Sequence, residues 1–144
     1  MIPARHVAEV LGGRKTLKRE IRSLRDLNDL VQAGLPKAAL IFFVARAAKD
    51  KPGRARLLQH VVARATLARR RQLLSQRESE RVERLARVVA TANYVWDDAD
   101  EAREFLNKPH PMLGDRAPID HAASELGARE VEDLLWRLYH GIAA

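Results

Sequence analysis

The sequence predicts an all-α protein. Three observations predict it. Apolar residues recur at helical spacing between recognisable caps, no stretch alternates polar and apolar as a half-buried strand does, and aromatic residues are only 5% of the chain. Aliphatic residues and alanine carry most of the 47% apolar content, which suits helix faces better than pleated sheets. At 144 residues the chain fits one domain or two small ones, burying roughly two-thirds of the surface its unfolded form exposes.

The first 22 residues are basic and weakly periodic, and read as an arm with at most a helical stretch from Thr16 to Ile21. Within it, Gly12-Gly13-Arg14-Lys15-Thr16 lacks the spacing of a phosphate loop, because Arg14 separates glycine from lysine. From Ser23 the signals are clean. Ser23 and Asp26 form a capping-box-like start, Leu24, Leu27, Leu30 and Val31 a buried stripe, and Gly34 a left-handed stop. Pro36 opens a second helix to about Ala48, and Pro52 a third with Leu57, Leu58, Val61 and Val62 inward.

A short basic helix is predicted over Thr66 to Leu73. Ser75 with Glu78 is a full capping box for a long helix, 76–96, whose stripe is Val82, Leu85, Val89, Ala92 and Trp96. Asp98 caps the next helix, which ends near Asn107. Pro109, Pro111, Gly114 and Pro118 make an irregular loop. Pro118 opens one last short helix, and Gly127 separates it from another over about Ala128 to Tyr139.

Charge divides the chain. Residues 1–77 carry 18 Lys/Arg against 5 Asp/Glu, whereas residues 78–144 carry 8 against 14. A basic half suits nucleic-acid phosphates, and an acidic amphipathic half suits a protein partner. The competing reading is an uneven spread of charge over solvated helices. The absence of cysteine excludes disulfides and thiol chemistry and fits a reducing cytoplasm. The longest apolar run, Ala38 to Val44, is too short to cross a bilayer, and no signal-peptide layout precedes it.

Short turns between helices and an arginine-rich small helix describe a helix-turn-helix candidate within 23–89. In Ala63 to Arg71, Leu67 faces the core and Ala63 and Ala68 allow close packing. Arg64, Thr66, Arg69, Arg70 and Arg71 face phosphates or base edges. The alternative is an arginine face that is merely solvated. The turn before this helix, His60-Val61-Val62, lacks the usual glycine. Residues 90–144 form the second module, and the long helix joins the two.

The C-terminal string carries the sharpest pattern. It runs Arg103-Glu104-Phe105-Leu106, Pro109, Leu113-Gly114-Asp115-Arg116-Ala117-Pro118, then Leu126-Gly127-Ala128-Arg129-Glu130-Val131-Glu132-Asp133-Leu134-Leu135, and Gly141. It resembles the toxin-binding domain of the Xre/ParS/MbcA family of antitoxins, which pair with RES-domain toxins in type II toxin–antitoxin operons. Gly34-Leu35-Pro36, Thr66 to Arg70 and Ser75 to Arg87 resemble that family's Xre-type helix-turn-helix. The resemblance covers about residues 24 to 144.

It implies an antitoxin that occludes the NAD cleft of a RES toxin, an enzyme that degrades NAD or transfers its ADP-ribose. It also implies a homodimer that carries toxin and represses its own promoter. The expected toxin contacts are Arg116, Arg129, Trp136, Tyr139, His140 and the tail Gly141-Ile142-Ala143-Ala144. Trp136 stands where the family usually has a small residue, and Tyr139 precedes His140 where an aromatic usually adjoins the last glycine.

An acidic module complements a cleft built for a pyrophosphate, and a small tail enters a narrow cleft that a helix cannot. Trp136 and Tyr139 are its rigid anchors, although a core role for either is the plain alternative. Catalysis by the chain itself is not expected, and neither a metal nor a cofactor is. His6, His60, His110, His121 and His140 are scattered without metal-ligand spacing, and Asp120 and His121 point apart on a helix. Asp97-Asp98 reads as a helix start. Two other readings remain: a stand-alone transcription regulator whose acidic half only dimerises, and a structural oligomer.

Overall fold

Ten α-helices and one 3-10 turn make up the regular structure of residues 1–141, the part of the chain that the computed structural model describes. The architecture is all-α, and the only β pairing among these residues is two isolated bridges. No described helix is long and apolar enough to cross a membrane.

The N-terminal segment is more ordered than its sequence suggests. Helices α1 (Ala4–Val10) and α2 (Gly13–Leu17) replace the expected arm, and Lys18 ends α2 instead of continuing it to Ile21. Val7, Ala8 and Leu11 lie on one buried side of α1, and Ile2, Leu17 and Ile21 are buried too. The apolar spacing 7, 8, 11 is one helical face. Arg5 and Glu9, which mask it in the sequence, lie on the exposed face. Gly12 and Gly13 both take positive φ and break the two helices apart.

Helix α3 (Leu24–Ala33) starts as expected, with the Ser23 hydroxyl accepting from the Asp26 amide at 3.1 Å. Leu27, Leu30 and Val31 are buried, but Leu24 at the first position is exposed. Helix α4 (Lys37–Ala47) follows Pro36 and buries Leu40, Phe43 and Val44. Helix α5 (Lys51–Val61) begins one residue before Pro52, because the Asp50 side chain caps it through the Gly53 amide at 2.8 Å. Helix α6 spans Arg64–Arg69, not Thr66 to Leu73. Residues 72–74 are instead extended against 35–37, with Leu74 N donating to Leu35 O at 2.8 Å and Lys37 N to Gln72 O at 2.7 Å. Leu73 is consequently exposed.

The 21-residue α7 (Gln76–Trp96) carries the full capping box at Ser75 and Glu78 and is the spine of the fold. It packs against α1, α3, α4 and α5, and also against α8 (Ala99–Leu106), α9 (Pro118–His121) and α10 (Glu125–Tyr139). Such enclosure explains why Ala86, Val88, Ala90 and Thr91 are buried beside Val82, Leu85, Val89 and Ala92, whereas Trp96 at the end of the expected stripe is exposed. Asp97 ends α7 in the left-handed region, and Asp98 caps α8 by accepting from the Asp100 and Glu101 amides.

Gly127 does not separate the last two helices. It lies inside α10, whose cap is Ser124, accepting from the Gly127 amide at 3.0 Å. Glycine is required there because a Cβ would collide with the carbonyl oxygen of His121 at the end of α9. The same close approach buries Ala128, Val131, Leu134 and Leu135 against the core.

Candidate functional site

Helix α6 presents its arginines without burying any residue of its own. Only Leu67 packs in part on the core, and Ala63 and Ala68 are exposed instead of packed. Buried Val62 and Leu74 anchor the chain on either side. Val62 and Ala63 are both extended, so the α5–α6 turn needs no glycine.

Arg64, Arg69 and Arg71 are exposed, and Arg69 Nη2 donates to Thr66 Oγ1 at 3.4 Å. Arg70 is different. Its Nε and Nη2 donate to Glu78 Oε1 and Oε2, each at 3.0 Å. Burial works against ionisation of Glu78, but the Arg70 and Ser75 hydrogen bonds prevail and hold its pKa below 4.5. Arg70 therefore belongs to the frame that fixes α6 on α7.

A column of arginines on α7 ties the remaining elements together. Arg81 Nη1 donates to the Val61 carbonyl at the end of α5 at 2.9 Å. Arg84 Nη1 donates to the Ala123 carbonyl at 3.0 Å, and its Nε meets Glu125 at 3.1 Å. Arg87 contacts Glu132 at 2.7 Å and Glu83 at 3.2 Å. Burial raises the Glu83 pKa, with Arg87 opposing it and Glu132 and Glu125 adding to it. Asp120 of α9 accepts from His60 Nε2 at 3.0 Å and lies 3.6 Å from Arg56, both on α5.

His121 turns the other way, as expected for adjacent residues on a helix. Its Nδ1 lies 3.3 Å from Arg116 Nη1 and its Nε2 3.2 Å from Glu130, which fits the Nε2-protonated tautomer. Arg129 is exposed, 3.7 Å from Glu125. Arg129 and Trp136 line one cavity of about 540 Å³ between α3, α7, α10 and the start of the chain.

The expected anchors Trp136 and Tyr139 meet at the end of α10 with ring centroids 5.6 Å apart. Tyr94 of α7 joins them at 5.8 and 5.4 Å, and His6 of α1 stands 6.2 Å from Tyr94. His140 packs edge-on to Tyr139 at 5.2 Å. The Tyr94 and Tyr139 hydroxyls are 3.5 Å apart, and that hydrogen bond raises the Tyr139 pKa. Both tyrosines remain exposed while Trp136 is half-buried, so the group forms a surface platform seated on Trp136. Gly141 leaves it directly. The expected tail contacts Ile142, Ala143 and Ala144 lie outside the described residues.

Tyr94 and His6 are the members that sequence reasoning missed. Tyr94 offers one signal, being an aromatic off the buried stripe of a long amphipathic helix. His6 offers none. Among the described residues, no three His, Asp or Glu side chains come together as metal ligands would.

Residues 91–141, from the last turns of α7 through α10, match the family model of the antitoxin Xre/MbcA/ParS C-terminal toxin-binding domain. The chain is similar to the Antitoxin Xre of Yersinia enterocolitica, with 39% identity over 66 residues, 45% of this chain and 45% of that protein. It is also similar to the Antitoxin Xre of Pseudomonas putida, with 31% identity over 72 residues, 50% of this chain and 45% of that protein. The chain thus spans a little under half the length of these curated relatives. The matched segment holds Tyr94, Arg116, Arg129, Trp136, Tyr139, His140 and Gly141.

Proposed function

We propose that this chain is an antitoxin of a type II toxin–antitoxin system. Its C-terminal module, 90–144, binds a RES-domain toxin and occludes that enzyme's NAD cleft. The observation that carries this reading is the match of residues 91–141 to a toxin-binding domain. The aromatic platform of exposed Tyr94 and Tyr139 with half-buried Trp136 supports it, since rigid rings at the surface are the groups that anchor protein interfaces. The segment from Gly141 to Ala144 reaches into the cleft, with Arg116 and Arg129 on the flanks of the contact. The basic module, 23–89, binds operator DNA through Arg64, Thr66, Arg69 and Arg71 of a helix-turn-helix, with Arg70 as a positioning residue. The antitoxin acts as a cytoplasmic homodimer that carries toxin and represses its own operon.

The test is co-expression with a cognate RES-domain protein. The expected result is co-elution of the two and loss of the partner's NAD-consuming activity. Undiminished NAD consumption in the presence of excess chain overturns the reading.

A further inference from the structure

Three cations from separate parts of the chain line one open concavity of about 840 Å³. Lys18 comes from the end of α2, Lys37 from the start of α4, and Arg71 from the segment after α6. Thr16 and Gln72 add neutral donors, and no carboxylate lines the concavity. Ile41 and Leu73, each about half exposed, supply apolar wall.

The placement follows from the backbone. The extended pairing of 35–37 with 72–74 sets the start of α4 beside the exit of α6. Lys37 Nζ donates to the Arg70 carbonyl at 3.4 Å, so its charge is held at this seam. Lys18 sits at φ 64, a left-handed position where glycine is the usual residue. Among the described residues none of the three cations forms an ion pair, although Arg22, four residues from Lys18, and Arg70, next to Arg71, both do.

We propose that this concavity is a phosphate seat for double-stranded DNA, extending the basic face of α6 onto α2 and α4. The inference rests on the reading of α6 as DNA-facing and deepens it. Lysine, arginine, threonine and glutamine are the side chains that hold backbone phosphates without reading sequence. The apolar wall suits the deoxyribose edge. Continuity with the free Arg69 and Arg71 favours a duplex over an acidic protein segment.

The experiment uses the full chain and a fluorescent duplex of about 25 base pairs of arbitrary sequence, titrated at several salt concentrations. The variant is Lys18→Gly with Lys37→Gln: glycine accepts the left-handed φ, and glutamine keeps a donor for the Arg70 carbonyl. Its slope of log affinity against log salt is expected to be shallower by about 2, near 0.9 for each lost phosphate contact. Lys18→Arg with Lys37→Arg should keep the original slope. Lys18→Gly alone, with a slope shallower by about 1, serves if the double variant melts early.

An unchanged slope in the charge-removing variants overturns the proposal, as does equal loss in the arginine pair. So does an unchanged slope with weakened binding of the co-expressed RES-domain protein, which would assign the concavity to protein. If Arg64→Ala with Arg69→Ala flattens the slope and the lysine variants do not, this inference fails alone. If the wild-type chain ignores the duplex, the reading of α6 fails with it.

Discussion

Arg70 grips Glu78 with both ends of its guanidinium fork, two hydrogen bonds of 3.0 Å that run from the exit of α6 to the first turn of α7. Glu78 simultaneously closes the capping box by accepting from the Ser75 amide at 2.8 Å. One carboxylate thus starts the longest helix and positions α6.

Replacing Arg70 by Ala is therefore expected to lower the melting temperature, whereas Arg69→Ala and Arg71→Ala leave it unchanged and weaken the proposed DNA binding. The pH dependence has a definite sign. With its folded-state pKa below 4.5, Glu78 contributes stability above that value, which is lost as pH falls through the lower folded-state pKa. In Arg70→Ala the acid-dependent loss should be smaller, because less lowering of the Glu78 pKa is left to lose. Melting curves across the acid range read it, and coincident curves would remove Arg70 from the frame.

Glu83 behaves oppositely. Its raised pKa means that its charge opposes folding increasingly as pH climbs from 4.5 through the folded-state value. Glu83→Gln is expected to raise the melting temperature at neutral pH by a few degrees, on the order of 1 kcal/mol or less. Arg87 keeps Glu132 at 2.7 Å in the variant. The gain should vanish once wild-type Glu83 is protonated. A lower melting temperature at neutral pH would show that the Glu83–Arg87 pair outweighs the burial.

Gly127→Ala should destabilise the fold by about 1–3 kcal/mol, the range for forcing an extra methyl into a packed contact. The methyl meets the His121 carbonyl, so α9 and α10 must separate. Urea unfolding measures this, and an unchanged midpoint would mean that the α9–α10 contact gives way freely.

Trp136→Ala is expected to weaken binding of the proposed toxin about thirtyfold, the loss typical of an aromatic anchor. Tyr94→Ala should weaken it as well, since Tyr94 bridges Trp136 and Tyr139. Calorimetric titration of the co-expressed partner is the measurement. Full affinity in both variants would make the platform structural only.

If the proposed function holds, deleting residues 141–144 should restore NAD consumption by the RES-domain partner while circular dichroism shows an unchanged helical fold. Continued full inhibition would assign occlusion to the platform and not to the tail.

Most of the helical framework is legible in the sequence wherever a cap precedes a stripe. Ser23, Ser75 and Asp98 each accept the backbone amides that mark α3, α7 and α8. α1 and α2 are not, because helices of 7 and 5 residues show too little of a stripe amid charged neighbours. Gly127 misleads for a tertiary reason, since its missing side chain answers to His121 and not to a helix end. Trp136 and Tyr139 stand out as the large rings near the C-terminus. Their partners Tyr94 and His6 lie far away in sequence and are assembled only by packing. Arg70 looks like its arginine neighbours until the start of α7 brings Glu78 to it.

The arginine column of α7 has an evolutionary corollary. Arg81 fastens the end of α5, while Arg84 and Arg87 fasten the start and middle of α10 along the same rod. Grafting either half onto a distant homologue would strand these guanidiniums against a surface they were not shaped for. A change on either side of these contacts then calls for a matching change on the other, so exchanging one half alone is expected to cost stability.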